Sequence, residues 1–349
     1  MKLVEFLELV KKIESLHSSI VVDLKDSCVM PDACQKWLRR QIDSKIPYQE
    51  KHVLQQASIL GNMERFRILH SPKEKLIGLA HKEGMEEDNS AWNDDVPAVV
   101  EFGAGRGYLT QMLADSYGIH RIFLVERKSY KLKADRSLRQ NESISLKRLR
   151  IDIEDLDLHA VESLNGHPFL AIGKHLCGSA TDLAIRCCCP GQNNLNKKTL
   201  LSSCYLQGIA IATCCHHLCQ WKHYLNASYF LDWGMTREEF HAITWFSSWA
   251  VDGDHGSNPS ILADSSMEPN SSEVNESGPQ SVEEAIRNMK HAERAALGFK
   301  CKDVIDMGRI IWLREQGFIA ELVKYVPSRI SPENHLLLAK LKLPFIVRE

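Results

Sequence analysis

The sequence predicts an α/β fold, a mostly parallel sheet covered by helices on both faces, with a helical extension ahead of it. Three observations carry this. From Pro97 onward, short apolar runs alternate with helical stretches, the pattern of buried strands joined by crossover helices. The first run ends in a glycine-rich turn, Gly103-Ala104-Gly105-Arg106-Gly107, that opens into a helix. The chain before residue 96 reads as helices and a polar linker.

In the extension, Leu3, Phe6, Leu7, Val10, Ile13 and Leu16 form a helical stripe. Pro31 sits near the first turn of a second helix through Trp37 and Ile42. A third runs from Lys51 to Leu60 and breaks near Gly61-Asn62, and the acidic, polar segment 83–95 reads as a linker. In the core, strands are expected at Ala98–Phe102, Arg121–Val125, Leu146–Ile151, Pro168–Ile172 and Gln207–Ala212. Helices are expected at Tyr108–Tyr117, Tyr130–Arg139, Asp155–Leu164 and Thr181–Cys188. Residues 252–281 contain no Lys or Arg and are rich in Ser, Asn, Gly, Pro and acids, a composition that cannot offset the entropy of ordering. Helical pattern resumes at Val282, with a further helix at Val304–Gln316 and a strand at Phe318–Val326. The expected organisation is a helical extension over 1–95, a core over 96–250, a disordered acidic insertion over 251–282, and completion of the sheet over 283–349.

Composition narrows the class. The chain has 349 residues, 44% hydrophobic and 25% charged, as globular domains do. No apolar run reaches the roughly 18 residues of a membrane span, and the acid-bearing start is not a secretory signal. Eleven cysteines without such a signal point to free thiols in a reducing compartment, nuclear or cytoplasmic. A net charge of −2 rules out a chain that is basic as a whole, so any contact with nucleic acid rests on local charge.

The glycine turn carries the strongest chemical signal. Glycines let the backbone turn sharply and approach a ligand, and the helix start behind them favours an anionic group. The spacing is G-x-G-x-G, at Gly103, Gly105 and Gly107, with Glu101 two residues ahead. A hydride-transfer enzyme would show G-x-G-x-x-G, whereas this form is common in class I S-adenosylmethionine-dependent methyltransferases, which have a Rossmann-like sheet. Glu126 ends the second strand, where a carboxylate accepts hydrogen bonds from ribose hydroxyls. Asp152 follows the third, suited to an adenine amino group. Gln56, with Gln55, Ser58 and Asn62, either closes over the cofactor or RNA or forms a polar helix face.

Two further strand ends carry Gly173-Lys174-His175-Leu176-Cys177-Gly178 and Cys214-Cys215-His216-His217-Leu218-Cys219. Strand carboxyl ends face the ligand crevice of an open α/β sheet. Lys174, His175, His216 and His217 are therefore expected to line a methyl-acceptor pocket, with His175 or His216 as base; the other reading is that the histidines cap loops. The same Cys/His run also invites a zinc reading, but no metal is the expectation. Neighbours on an extended segment point to opposite sides, so Cys214-Cys215 and His216-His217 cannot all face one ion. No second C-x₂-C or H-x₃-H pair stands nearby, and buried thiols are the plainer reading.

Residues 127–150 hold nine basic side chains and two acids. Lys128, Lys131, Lys133, Arg136, Arg139 and Arg148 are candidates for phosphate contact, against the reading of a solvated helix face.

Together these motifs resemble the eukaryotic tRNA 2′-O-methyltransferase family that modifies nucleotide 4 of the acceptor stem. The resemblance covers nearly the whole chain. It includes Lys51–Asn62, the glycine loop, Gly173–Gly178, Thr181-Asp182-Leu183-Ala184, Cys214–His217, Ser247-Ser248-Trp249-Ala250 and Gly308-Arg309-Ile310. It implies S-adenosyl-L-methionine as donor and tRNA as partner, with neither DNA nor membrane. It also implies zinc only through zinc-finger modules that the family carries ahead of the methyltransferase domain and that are not seen in this sequence. A methyltransferase acting on protein or a small molecule, and a non-catalytic RNA-binding protein of the same fold, share the cofactor features.

Overall fold

A computed structural model describes residues 1–44, 47–70, 97–128, 133–189, 205–252 and 279–342. The expected linker at 83–95 and most of the expected insertion lie outside the described residues.

Eight strands form one sheet: β1 (Lys25–Asp26), β2 (Ala98–Phe102), β3 (Arg121–Val125), β4 (Ser145–Leu149), β5 (Pro168–Cys177), β6 (Tyr205–Cys214), β7 (Phe318–Lys324) and β8 (His335–Leu341). Their order is β1-β7-β8-β6-β5-β2-β3-β4. Only β8 runs antiparallel, to both β6 and β7. The fold is thus α/β with a mostly parallel, mixed sheet. β2 lies between β3 and β5, so the chain winds away from it in both directions. That switch point opens a crevice at the strands' carboxyl ends.

The core strands are apolar because both faces are covered. Ala98, Val100 and Phe102 enter one core, and Val99 between them enters the other. On the first face pack α1 (Leu3–Ile20) and the 25-residue α11 (His291–Glu315). The buried stripe of α1 is Phe6, Leu9, Ile13, Leu16 and Ile20; Leu7, read from the sequence as part of it, is exposed. Helices α2 (Gln35–Ser44) and α3 (Pro47–Arg65) follow. The expected break at Gly61-Asn62 is absent, since α3 continues to Arg65. Gly61 serves close approach instead: a Cβ there would lie 2.3 Å from the Val29 carbonyl oxygen. The core helices are α4 (Tyr108–Tyr117), α5 (Lys133–Arg139) and α6 (Ser179–Cys188), followed by α7 (Ala227–Asp232), α8 (Arg237–Phe246), α9 (Trp249–Asp252) and α10 (Val282–Asn288).

The helix expected at Asp155–Leu164 is instead three short 3₁₀ turns, Ile153–Asp155, Leu158–Ala160 and Glu162–Leu164. The Asp152 and Asp157 carboxylates accept hydrogen bonds from the N–H groups of Glu154 and His159. Such local bonds compete with the helical ladder. The last helix begins thirteen residues before the expected Val304, at His291. β8 was not anticipated, although Leu336, Leu337, Leu338 and Ala339 are all buried.

Candidate active site

The glycine loop joins β2 to α4. Gly103, Gly105 and Gly107 all have positive φ, at +59°, +50° and +74°, which only glycine adopts freely. The loop is held from below. Arg148 on β4 donates to the Gly105 carbonyl at 3.1 Å, while its Nε and Nη2 donate to Asp135 at 2.9 and 2.7 Å. The Gly105 N–H donates to Glu126 Oε2 at 3.0 Å. Glu101 is buried and accepts from both the N–H and the hydroxyl of Thr110. Burial raises its pKa to about 7, against the opposing pull of Thr110, Arg148 and Lys174.

A cleft of about 530 Å³ opens above this loop. All seven residues expected to hold a cofactor line it: Gln56 from α3, Glu101, Gly103, Gly105, Gly107, Glu126 and Asp152. Lys174 and His175 line it too. The lining suits a nucleoside with a charged tail. Two carboxylates stand on successive strand ends: Glu126 accepts from the N–H groups of Gly105 and Lys128, and Asp152 from Arg127 and the N–H of Glu154. Ile151 and Ile153 beside Asp152 offer apolar contact to a base.

The Lys174–His175 edge results from an irregularity in β5. Its register against β6 shifts between Lys174 and Leu176, and His175 takes a left-handed φ of +64°, as a bulge residue does. Lys174 Nζ lies 3.0 Å from Nδ1 of His52, on α3. Burial lowers the Lys174 pKa to about 8, with Glu101 and Cys214 opposing. Burial and then Lys174 lower that of His52, with Gln55 opposing. His175 is exposed at the cleft; desolvation, then the charges of Lys174 and His52, lower its pKa, with Glu333 opposing. At neutral pH this edge therefore presents uncharged imidazoles beside an amine close to its titration point. His52, which does not line the cleft, was not singled out in the sequence because its approach to Lys174 depends on α3 packing against the sheet.

The second histidine loop behaves differently. His216 and His217 are not among the residues lining the cleft. Cys215 is left-handed, with φ 48° and ψ 49°, and starts a 3₁₀ turn over His216–Leu218. That turn buries His216, which meets Asp306 at 2.8 Å, and leaves His217 exposed. Asp306 also pairs with Arg309 and His335 and accepts from the Thr213 hydroxyl. Burial works against its ionisation, but His216, His335 and Arg309 hold its carboxyl well below the usual range. The expectation that His216 serves as base is therefore replaced: it anchors the loop from inside.

Of the basic candidates, Lys128, Arg136 and Arg139 are exposed, and the helix α5 that carries the two arginines contacts β4 at the edge of the sheet. Arg148 is not free for phosphate, because Asp135 and Gly105 occupy its guanidinium. Lys131 lies outside the described residues, as does the side chain of Lys133.

A family model described as Methyltransferase TRM13 matches residues 54–340. The chain belongs to the TRM13 family. The match takes in the end of α3, the glycine loop, both histidine loops and nearly all of β8. A human protein named tRNA:m(4)X modification enzyme TRM13 homolog is 31% identical over 83% of this chain and 64% of its own length. A rice protein named tRNA:m(4)X modification enzyme TRM13 is 54% identical over 37% of this chain and 47% of its own length. A TRM13 protein from the yeast Vanderwaltozyma polyspora is 29% identical over 93% of this chain and 70% of its own. The chain thus spans about half to two thirds of the length of the rice and human relatives. Among the described residues, no helix is long and apolar enough to cross a membrane.

Proposed function

We propose that this chain transfers a methyl group from S-adenosyl-L-methionine to a ribose 2′-hydroxyl of tRNA, at nucleotide 4 of the acceptor stem. One observation carries the reading: a single cleft joins the glycine loop, Glu126 and Asp152 to the Lys174–His175 edge. The family name and the relatives' printed names support methyl transfer and tRNA. The 2′-hydroxyl and its position come from the motif resemblance.

S-adenosyl-L-methionine supplies an electrophilic methyl on a sulfonium. Glu126 would hold its ribose, Asp152 with Ile151 and Ile153 its adenine, and the glycine loop its amino-acid end. Lys174 would take the acceptor hydroxyl's proton on Nζ, while the methyl would pass to the oxygen as its bond to the sulfonium sulfur breaks and leaves a neutral thioether. The depressed lysine supplies a neutral amine near physiological pH, and a positioned base contributes roughly 10²–10⁴-fold. His175 stays uncharged and accepts a hydrogen bond from the acceptor. Exposed Lys128, Arg136 and Arg139 would position the RNA through its phosphates.

The test is calorimetric binding of S-adenosyl-L-methionine, followed by labelled methyl transfer to total tRNA, rRNA and protein, with ribose methylation mapped by nucleotide. Label confined to ribose 4 of tRNA supports the reading. Label in protein or small molecules alone makes this a methyltransferase of another acceptor. RNA binding without donor binding makes it a non-catalytic member of the fold.

A further inference from the structure

Cys177 ends β5 and Cys214 ends β6, and the two are partners across the parallel ladder. Their sulfurs lie 3.2 Å apart. Cys215 comes next, and an extended backbone would send its side chain to the other face of the sheet. Its left-handed conformation turns it back. One sulfur from each of the three cysteines lies within 4.8 Å of the other two. The expectation that Cys214 and Cys215 face apart fails on this single backbone angle.

We infer that Cys177, Cys214 and Cys215 hold one zinc ion as thiolates. The spacing fits the ion. Zinc–sulfur bonds of about 2.3 Å in a tetrahedral shell separate the sulfurs by about 3.8 Å. That value lies above the Cys177–Cys214 contact of 3.2 Å and within the 4.8 Å that spans the three sulfurs. Three soft donors favour zinc over magnesium or calcium, which take oxygen. A disulfide between Cys177 and Cys214 would use two sulfurs and leave out Cys215, whose sulfur stands in the same group. Zinc uses all three. Its fourth position falls to water, and Cys177 places the site on the wall of the cleft. The site does not depend on the methyl-transfer reading, and its test does not measure activity.

The 349-residue chain is purified under reducing conditions with zinc supplied, and bound metal is measured by plasma mass spectrometry. About one zinc per chain is expected, as for a single thiolate site, together with thiolate-to-cobalt charge-transfer absorption after exchange with cobalt(II). Cys177→Ser and Cys215→Ser should each lose bound zinc and the absorption, while Cys187→Ser and Cys301→Ser keep both. Unchanged zinc in the first pair overturns the proposal. A second measurement needs no variant: alkylation of the wild-type chain, mapped by peptide. Zinc should slow modification of Cys177 and Cys215, and a chelator should restore it. Equal modification with and without zinc, or a mapped Cys177–Cys214 disulfide in the reduced preparation, also overturns it.

Discussion

Arg309 on α11 and Asp182 on α6 form a two-pronged ion pair, Nη2 to Oδ2 at 2.6 Å and Nε to Oδ1 at 3.0 Å, with each side chain only 1% exposed. The same guanidinium donates to the carbonyl of Gly178, the residue after β5, and to Asp306. One side chain therefore ties both histidine loops to the long C-terminal helix. Arg309 is a positioning residue and does not line the cleft.

Replacing Arg309 with Met leaves the buried Asp182 without its cation and removes one of the partners of Asp306. Breaking a buried pair from one side costs about 3–5 kcal/mol. Urea unfolding should show a loss of that order. Arg309→Lys should recover only part of it, because an ammonium cannot match the fork geometry.

Lys174 sets a pH dependence. Its pKa, held down by burial to about 8, means that the neutral amine grows as pH rises from 7 to 9. If it is the base, methyl transfer climbs through this range and levels off above it. Lys174→Arg remains charged throughout, so its kcat should fall by roughly 10²–10⁴ and lose the climb. Donor affinity, measured by calorimetry, should change far less than kcat. A wild-type profile flat from pH 7 to 9 rules out this assignment.

Gly61 has no room for a side chain, since a Cβ would press on the carbonyl of Val29 at 2.3 Å and on Pro31 at 3.0 Å. Ala is the better helix former, yet Gly61→Ala should destabilise the fold by roughly 1–3 kcal/mol, as overpacking does. Thermal unfolding checks the sign; an unchanged or raised Tm contradicts this packing.

Arg136 and Arg139 sit exposed on α5. Charge reversal of both should weaken tRNA binding at low salt. It should also flatten the log–log salt slope by roughly 0.7–0.9 for each phosphate that is no longer neutralised. Donor binding should be untouched. Reversing Arg148 should differ, damaging the glycine loop and with it donor affinity.

The glycine-loop side of the cleft was legible in the sequence because it is local. Glycine spacing, Glu101, Glu126 and Asp152 each follow directly from a strand that its own residues announce. The acceptor side was only half legible. Lys174 and His175 were found at the end of β5. His216 was misread, because the left-handed turn at Cys215 that buries it is not written in the residue type. The 3₁₀ turns after Asp152 replaced a helix through side-chain bonds that hydrophobic periodicity ignores. β8 was missed because its place between β6 and β7 depends on pairing with segments more than a hundred residues apart in one case.

The parallel pairing of β1 with β7 and the approach of His17 to Asp303 at 2.9 Å also constrain how the chain is made. His17 on α1 is made 286 residues before its partner Asp303. Until α11 emerges, the apolar stripe of α1 lacks the helix it packs against. Nascent chains should therefore expose that stripe for most of synthesis and engage chaperones through it, a delay intrinsic to so long-range a closure.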